Sequence, residues 1–325
     1  MKEIKISTDS VKGQYGAAVL KKLSGLAVSI LLLMWFSGAV QADAAWPGSA
    51  LSKDGTPISY EIQGSGQTTL VFIHGWSCDA RYWRMQRPVF SNKYRVVTLD
   101  LAGHGHSGLN RSRYTMRAFG EDVQVVVEAT ESEQVILIGH SMGGAVIAEA
   151  ARLMPKRVKG LIGVDTLGNI EYPLTAEEYE QMAAPLKADF KNGSRQFVKP
   201  MILPGTDPAL EEWILSDMAS APSSVALSAM EEMMSQYISG EAAKIFEEIP
   251  VPVISVNADL WPIDYEANRR HMTSYDAIIL KGADHFLMMN RPLEFNWALE
   301  QAIQTILATV ETNPEQATSS ELSSD

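Results

Sequence analysis

The strongest indication of chemistry in this chain is the segment Gly139–Gly143, which has the sequence Gly-His-Ser-Met-Gly. The apolar run Val135–Ile138 precedes it and predicts a buried strand, and the Ala-rich residues that follow predict a helix. A serine flanked by glycines in a sharp turn from strand to helix presents its hydroxyl group at the end of the strand, where it can attack a substrate. We therefore predict that Ser141 is a nucleophile.

A serine hydroxyl is a weak nucleophile at neutral pH, so it needs a base, and that base needs a third group to orient it. In chains with this turn, the order along the sequence is serine, then acid, then histidine. The histidines that follow Ser141 are His271 and His285. His271 lies in a predicted helix, whereas His285 lies in a loop after the last predicted strand. We therefore predict that His285 is the base.

Three aspartates are candidates for the group that orients the histidine. Asp259 follows the predicted strand 251–256 and is the preferred acid. Asp165, at the end of the preceding predicted strand, is the alternative acid, and Asp264 is a third option. The role requires a carboxylate that accepts the second N–H of the histidine ring and stabilises the imidazolium.

Acyl transfer also needs backbone N–H groups that bind the developing oxyanion. One should belong to Met142, directly after the serine, and the other to Trp76, in the loop after the strand that ends near residue 74. Weaker predictions for a substrate pocket are His74, Trp83 and Trp261. His74 is equally well explained as a structural hydrogen-bonding residue under the loop.

The elements around these residues predict an α/β fold. Strands alternate with helices along the chain, which favours a mostly parallel sheet, here of eight strands, with helices on both faces. Residues 168–248 break the alternation because no strand is evident there. Three or four helices are expected in this stretch, as a helical cap inserted after strand 6 that acts as a lid. The predicted core is then 45–167 together with 249–311.

Composition excludes several classes of function. The chain has 325 residues, of which 46% are hydrophobic, and it carries a net charge of −12. That acidity argues against a nucleic-acid partner. Its one cysteine, Cys78, cannot form an internal disulfide. Because the sequence has no metal-binding or dinucleotide motif, we predict neither a metal nor a cofactor.

The two ends of the chain look different from the rest. Lysines precede an apolar run at residues 23–40, and small residues follow it, which predicts that residues 1–44 are a secretory signal or a membrane anchor. The protein would then be exported to the periplasm or secreted, or held at a membrane by residues 23–40. Residues 312–325, rich in Ser, Thr and Glu, predict a disordered tail.

From about residue 56 to 310 the chain resembles the α/β-hydrolase fold superfamily. The resemblance rests on four motifs, namely His74-Gly75-Trp76, Asp100-Leu101-Ala102-Gly103-His104-Gly105-His106-Ser107, Gly139-His140-Ser141-Met142-Gly143-Gly144 and Gly282-Ala283-Asp284-His285-Phe286. It implies the same roles for Ser141, His285, Trp76 and Met142. The chain departs from the family's Gly-x-x-Asp-x-x-x-Pro pattern after the seventh strand, because Asp259 is one residue too close to the following proline. Asp165 therefore stays open as the acid.

A serine in this turn, where epoxide- and halide-processing relatives have aspartate, implies hydrolysis through an acyl-enzyme. The expected substrate is a small-molecule carboxylic ester with a small or medium apolar acyl group. The alternatives are a carbon–carbon bond hydrolase or a lactonase of the same fold, and a non-catalytic homologue that only binds a ligand. Neither the natural substrate nor the oligomeric state follows from the sequence.

Overall fold

The computed structural model describes residues 46–312, which contain one eight-stranded sheet. The strands are β1 (Trp46–Leu51), β2 (Pro57–Gln63), β3 (Thr68–Ile73), β4 (Arg95–Leu99), β5 (Gln134–His140), β6 (Val158–Val164), β7 (Val253–Ala258) and β8 (Tyr275–Leu280). Their order across the sheet is β1-β2-β4-β3-β5-β6-β7-β8. The pairs β1–β2 and β2–β4 are antiparallel, and every other neighbouring pair is parallel. The predicted eight-stranded, mostly parallel sheet is confirmed.

The central strands are buried on both faces, which explains their continuous apolar sequences. Side chains 70–73 of β3 and 135–138 of β5 have no exposed surface. A strand covered on both faces cannot alternate apolar and polar residues, because both sets of side chains point into a core. These two strands end side by side, with Ile73 paired to Gly139, and so deliver the loop after β3 next to the turn after β5.

Helices surround the sheet. Those of the core are α1 (Arg87–Phe90), α2 (Met116–Ala129), α3 (Gly143–Leu153), α9 (Tyr265–His271), α10 (Leu287–Asn290) and α11 (Pro292–Thr312), with a short 3₁₀ helix at Ala80–Trp83. Helix α2 packs against α3, and α11 packs against β6, β7 and β8. The contact between α11 and β6 is close, because a Cβ atom added at Gly160 would lie 2.5 Å from the side chain of Ile306.

The stretch between β6 and β7 is helical, as predicted, but it holds five α-helices rather than three or four. They are α4 (Ala176–Ala188), α5 (Phe190–Val198), α6 (Pro208–Met218), α7 (Ser223–Ile238) and α8 (Glu241–Glu247), with a 3₁₀ helix at Lys199–Met201. The extra breaks have local causes: Asp189 is extended between α4 and α5, and Gly240 has a positive φ before α8. We call residues 168–248 the cap.

Two predicted segments fall largely outside the described part of the chain. The signal or anchor segment at residues 1–44 lies before it, and the predicted tail lies beyond Thr312, the last residue of α11. Among residues 46–312, no helix has the length and apolar character needed to cross a membrane.

Candidate active site

Ser141 lies in a strained turn between β5 and α3. Its φ is +52°, in the left-handed region that residues with a Cβ atom rarely adopt. The flanking glycines make the turn possible, because an added Cβ would lie 2.2 Å from a backbone oxygen at Gly139 and 2.8 Å from one at Gly143. The turn is also held across the sheet, where the Ser141 N–H donates to the carbonyl oxygen of Val164 at 3.0 Å. The predicted strand–turn–helix context is confirmed.

His285 lies in the loop after β8 and is 7% exposed. Its ring centroid is 4.6 Å from that of His140, the residue before Ser141, and the His140 Nε2–H donates to the carbonyl oxygen of His285 at 2.9 Å. These contacts bring the loop of His285 next to the serine turn. Burial lowers the pKa of His140 well below its ordinary value, and the neighbouring His285 lowers it further. His140 is therefore neutral and acts as a packing and hydrogen-bonding neighbour.

Asp165, and not Asp259, contacts the histidine. The Nδ1 atom of His285 lies 2.6 Å from the Oδ2 atom of Asp165, which is 7% exposed, and Oδ1 of Asp165 accepts from the N–H of Ala258 at 2.8 Å. With Nδ1 bonded to the carboxylate, Nε2 of the ring is the atom left to act on a hydroxyl group.

The preference for Asp259 as the orienting acid is therefore wrong, and the alternative that was kept open has the required geometry. Asp259 is exposed, and its Oδ1 accepts from the N–H of Gly282 at 2.8 Å, so that it holds the backbone at the start of the histidine loop. The third option, Asp264, caps helix α9 through the N–H of Ala267.

The loop after β3 passes directly over the serine turn. A Cβ atom added at Gly75 would lie 2.8 Å from Nδ1 of His140 and 3.2 Å from the Cβ atom of Ser141, so a larger residue would push the loop away from the turn. Within residues 46–312, neither the N–H of Trp76 nor that of Met142 donates to another protein group. Two free donors beside the serine are what an oxyanion requires.

Comparisons with known proteins bear on the fold. The family described as alpha/beta hydrolase fold matches residues 68–200. The dihydrolipoyllysine-residue acetyltransferase component of the acetoin cleaving system of Pseudomonas putida is 34% identical over 131 residues, which make up 40% of this chain and 35% of that protein. The pimeloyl-(acyl-carrier protein) methyl ester esterase of Edwardsiella ictaluri (strain 93-146) is 31% identical over 154 residues, 46% of this chain and 57% of that protein. The chain thus spans about a third of the first relative's length and little more than half of the second's.

Among solved structures, the crystal structure of a bromoperoxidase from Bacillus anthracis has a TM-score of 0.69 at 22% identity, covering 81% of this chain and 100% of that one. That likeness shows a shared fold that includes the sheet and helices beyond residue 200. Residues 68–200 thus match the α/β-hydrolase family, and the described residues share the fold of its members. Ser141, Asp165 and His285 follow the carboxyl ends of β5, β6 and β8, where ligands of open α/β sheets bind.

His74 and Trp83, two of the three weaker pocket predictions, belong instead to the buried core. His74 has no exposed surface, and its Nε2 accepts from the N–H of Leu101 at 3.0 Å. Burial lowers the pKa of His74, so it is a neutral structural residue. Trp83 is also fully buried, 5.1 Å from the ring of Phe72. Trp261 is 50% exposed, and its ring lies edge-on to that of His285 at 5.6 Å.

A cleft of about 1020 Å³ opens beside the serine turn. Its lining comes from the site itself, the cap, the loop after β7 and the start of helix α9: Ser141, Met142, Asp165, Thr166, Gly168, Asn169, Tyr172, Leu174, Met182, Met233, Met234, Tyr237, Trp261, Pro262, Ile263, Asp264, Tyr265 and Glu266. Three of the six cap methionines therefore line a cavity. None of these described lining residues is a lysine, an arginine or a histidine. The tyrosines at 172 and 237 were not predicted, because no spacing in the sequence marks them.

Proposed function

We propose that this chain is a serine hydrolase that cleaves a carboxylic ester through an acyl-enzyme on Ser141. The observation that carries the proposal is the 2.6 Å contact of Asp165 with His285, beside a serine that the chain holds in a strained turn. A serine, a histidine and a buried carboxylate in this arrangement are the groups that acyl transfer needs. Their order along the chain is also the order expected for this fold.

In the proposed first step, the Ser141 hydroxyl oxygen attacks the ester carbonyl carbon while Nε2 of His285 takes the hydroxyl proton. Asp165 stabilises the resulting imidazolium through Nδ1–H. The N–H groups of Trp76 and Met142 donate to the oxyanion. The tetrahedral intermediate then breaks its bond to the alcohol oxygen, which receives the proton from His285. In the second step, His285 takes a proton from a water molecule as the water oxygen attacks the acyl carbon. The bond to the Ser141 oxygen then breaks, His285 returns the proton to that oxygen, and the acid is released.

The cleft supports an apolar acyl group. Methionine side chains adapt to ligands of different shape, and those at 182, 233 and 234 line the cavity together with aromatic rings. No basic side chain that would favour an anionic substituent lines the described cleft, whereas the carboxylates of Asp165, Asp264 and Glu266 do. The similarity to an esterase from Edwardsiella ictaluri supports the reaction class without naming the substrate of this chain.

The test is hydrolysis of p-nitrophenyl acetate, butyrate and octanoate by the full chain and by Ser141→Ala. We expect the parent protein to hydrolyse these esters and the variant to have a kcat lower by about 10³-fold or more. A fluorophosphonate should label one site per chain in the parent protein and none in Ser141→Ala. Labelling without turnover of any ester would favour a different substrate, such as a lactone or a dienoate diketone, and absence of both would favour a ligand-binding homologue.

A further inference from the structure

Asp284, the residue before the proposed base, joins two parts of the molecule. Its side chain has no exposed surface. Its Oδ1 accepts from the N–H of Phe286 at 2.9 Å, and its Oδ2 accepts from the N–H of Leu203 at 3.3 Å and from the hydroxyl group of Thr206 at 3.0 Å. One carboxylate oxygen therefore binds the loop of His285, and the other binds the cap.

The base itself makes a further bond to the same piece of the cap. The backbone N–H of His285 donates to the carbonyl oxygen of Met201 at 3.1 Å. Met201 ends the 3₁₀ helix Lys199–Met201, and Thr206 comes shortly before helix α6. We call residues 201–206 the tie segment. Three of its residues thus hold the backbone of the proposed base and the side chain of its neighbour.

These bonds matter to chemistry because Asp165 constrains only the ring of the base. A hydrogen bond to Nδ1 fixes the rotation and tautomer of the imidazole, but the reach of Nε2 also depends on where the His285 backbone lies. A displacement of about 1 Å in a reacting group can lower a rate about 100-fold. The backbone of His285 is positioned from the cap side by the tie segment.

A carboxylate is suited to this position because all its described partners are donors. A buried carboxylate is costly unless hydrogen bonds satisfy it, and bonds from N–H and O–H groups to a charged acceptor are strong. Asparagine could keep an oxygen toward Phe286, but its NH₂ group would then face the N–H of Leu203. Substitution of Asp284 or Thr206 would not alter the lining of the cleft, because neither residue lines it.

We propose that Asp284 is a positioning residue that, with Thr206, sets the proposed base in place from the cap. The inference rests on the proposed function, in which His285 takes the serine proton. Loss of the contact should lower kcat and leave KM nearly unchanged, because the base moves while the cleft does not. It should also alter the bond between His285 and Asp165, which can be observed without any substrate.

The experiment compares Thr206→Val, Thr206→Ser and Asp284→Asn in the full chain. The matched control is Thr273→Val, because the hydroxyl group of Thr273 also donates a partly buried hydrogen bond, at 3.1 Å to the carbonyl oxygen of Ile249, away from the site. With p-nitrophenyl butyrate, Thr206→Val should lower kcat about tenfold, less than the roughly 100-fold effect of a 1 Å displacement, because the other bonds to the tie segment remain. KM should stay within about twofold. Thr206→Ser and Thr273→Val should match the parent protein, and Asp284→Asn should lose more activity than Thr206→Val.

The second readout is the low-field proton NMR resonance of the His285 Nδ1–H, assigned by its loss in Asp165→Asn. It should shift or broaden in Thr206→Val and stay unchanged in Thr273→Val. A Thr206→Val protein with the kcat and the resonance of the parent would overturn the inference even if the ester assay supports the proposed function. If the chain hydrolyses no ester, the proposed function fails, and the resonance still decides whether the tie segment positions His285. Should Asp284→Asn not fold, Thr206→Val carries the test.

Discussion

The contact between Asp165 and His285 predicts that substitutions of Asp165 and of Asp259 have different effects on activity. In Asp165→Asn, the amide oxygen can keep the bond from the N–H of Ala258, so the NH₂ group turns toward Nδ1 of His285. Nδ1 must then accept, which puts the ring proton on Nε2. A ring protonated at Nε2 cannot take the serine proton.

The expected loss is large and affects the chemical step. Replacing a carboxylate by an amide in such a triad lowers kcat by about 10⁴-fold, which corresponds to about 5.4 kcal/mol of lost transition-state stabilisation. The substitution should not prevent folding, because Asp165 has a φ of +45° and asparagine tolerates that region well. Thermal unfolding within a few degrees of the parent protein would verify this.

The matched control is Asp259→Asn. Asp259 is exposed and accepts one backbone hydrogen bond, from Gly282, which the amide oxygen of asparagine can also accept. We expect kcat/KM for p-nitrophenyl butyrate to stay within about twofold of the parent value, since surface changes of this kind cost little. The reverse result, with Asp259→Asn inactive and Asp165→Asn nearly normal, would refute the assignment of the acid.

Two further predictions concern stability. Gly143→Ala should lower the free energy of unfolding by about 2–3 kcal/mol in urea titrations, because the added Cβ would overpack against the carbonyl oxygen of Ile73. The control is Gly168→Ala, whose added Cβ would lie no closer than 3.4 Å to another residue. It should change the free energy of unfolding by less than about 0.5 kcal/mol. Burial lowers the pKa of His104 from 6.5 to about 3, so below pH 6.5 the unfolded state binds a proton that the folded state does not. The free energy of unfolding should therefore fall by about 2 kcal/mol between pH 7 and pH 5 from this residue alone. His104→Phe should remove this loss. His106→Gln should retain it, because His106 is exposed.

The sequence was sufficient for the parts of the site that depend on local pattern. The glycines around Ser141 imply a tight turn from the local sequence alone, because only residues without a Cβ fit at positions 139 and 143. The apolar strands before the serine and the histidine imply that both residues lie at the same edge of the sheet. These local constraints led to the predictions of Ser141 and His285, whereas the strand order came from the structure.

The choice of acid depended instead on how far neighbouring strands extend. Val164 of β6 pairs with Val256 of β7, so Asp165 is one residue beyond this pair. Strand β7 continues beside β8 to Ala258, which carries Asp259 three residues beyond the same pair, next to the start of the histidine loop. Predicted strand ends are too imprecise to resolve a difference of two residues. The prediction that Trp83 lines a pocket was wrong for a related reason, because the local sequence does not distinguish an aromatic residue in a core from one in a cleft.

The cap contacts the proposed site from two sides, which bears on the prediction that it acts as a lid. The indole N–H of Trp76 donates to the carbonyl oxygen of Ala226 at 2.7 Å, and its ring packs edge-on against Phe190 and Phe197. The tie segment binds the histidine loop on the other side. Displacing the whole cap would break several contacts worth about 1 kcal/mol each and would release both loops that hold the proposed reacting groups. Tyr172 lines the cleft and is 54% exposed, so the cleft borders the protein surface at this residue while the cap is docked.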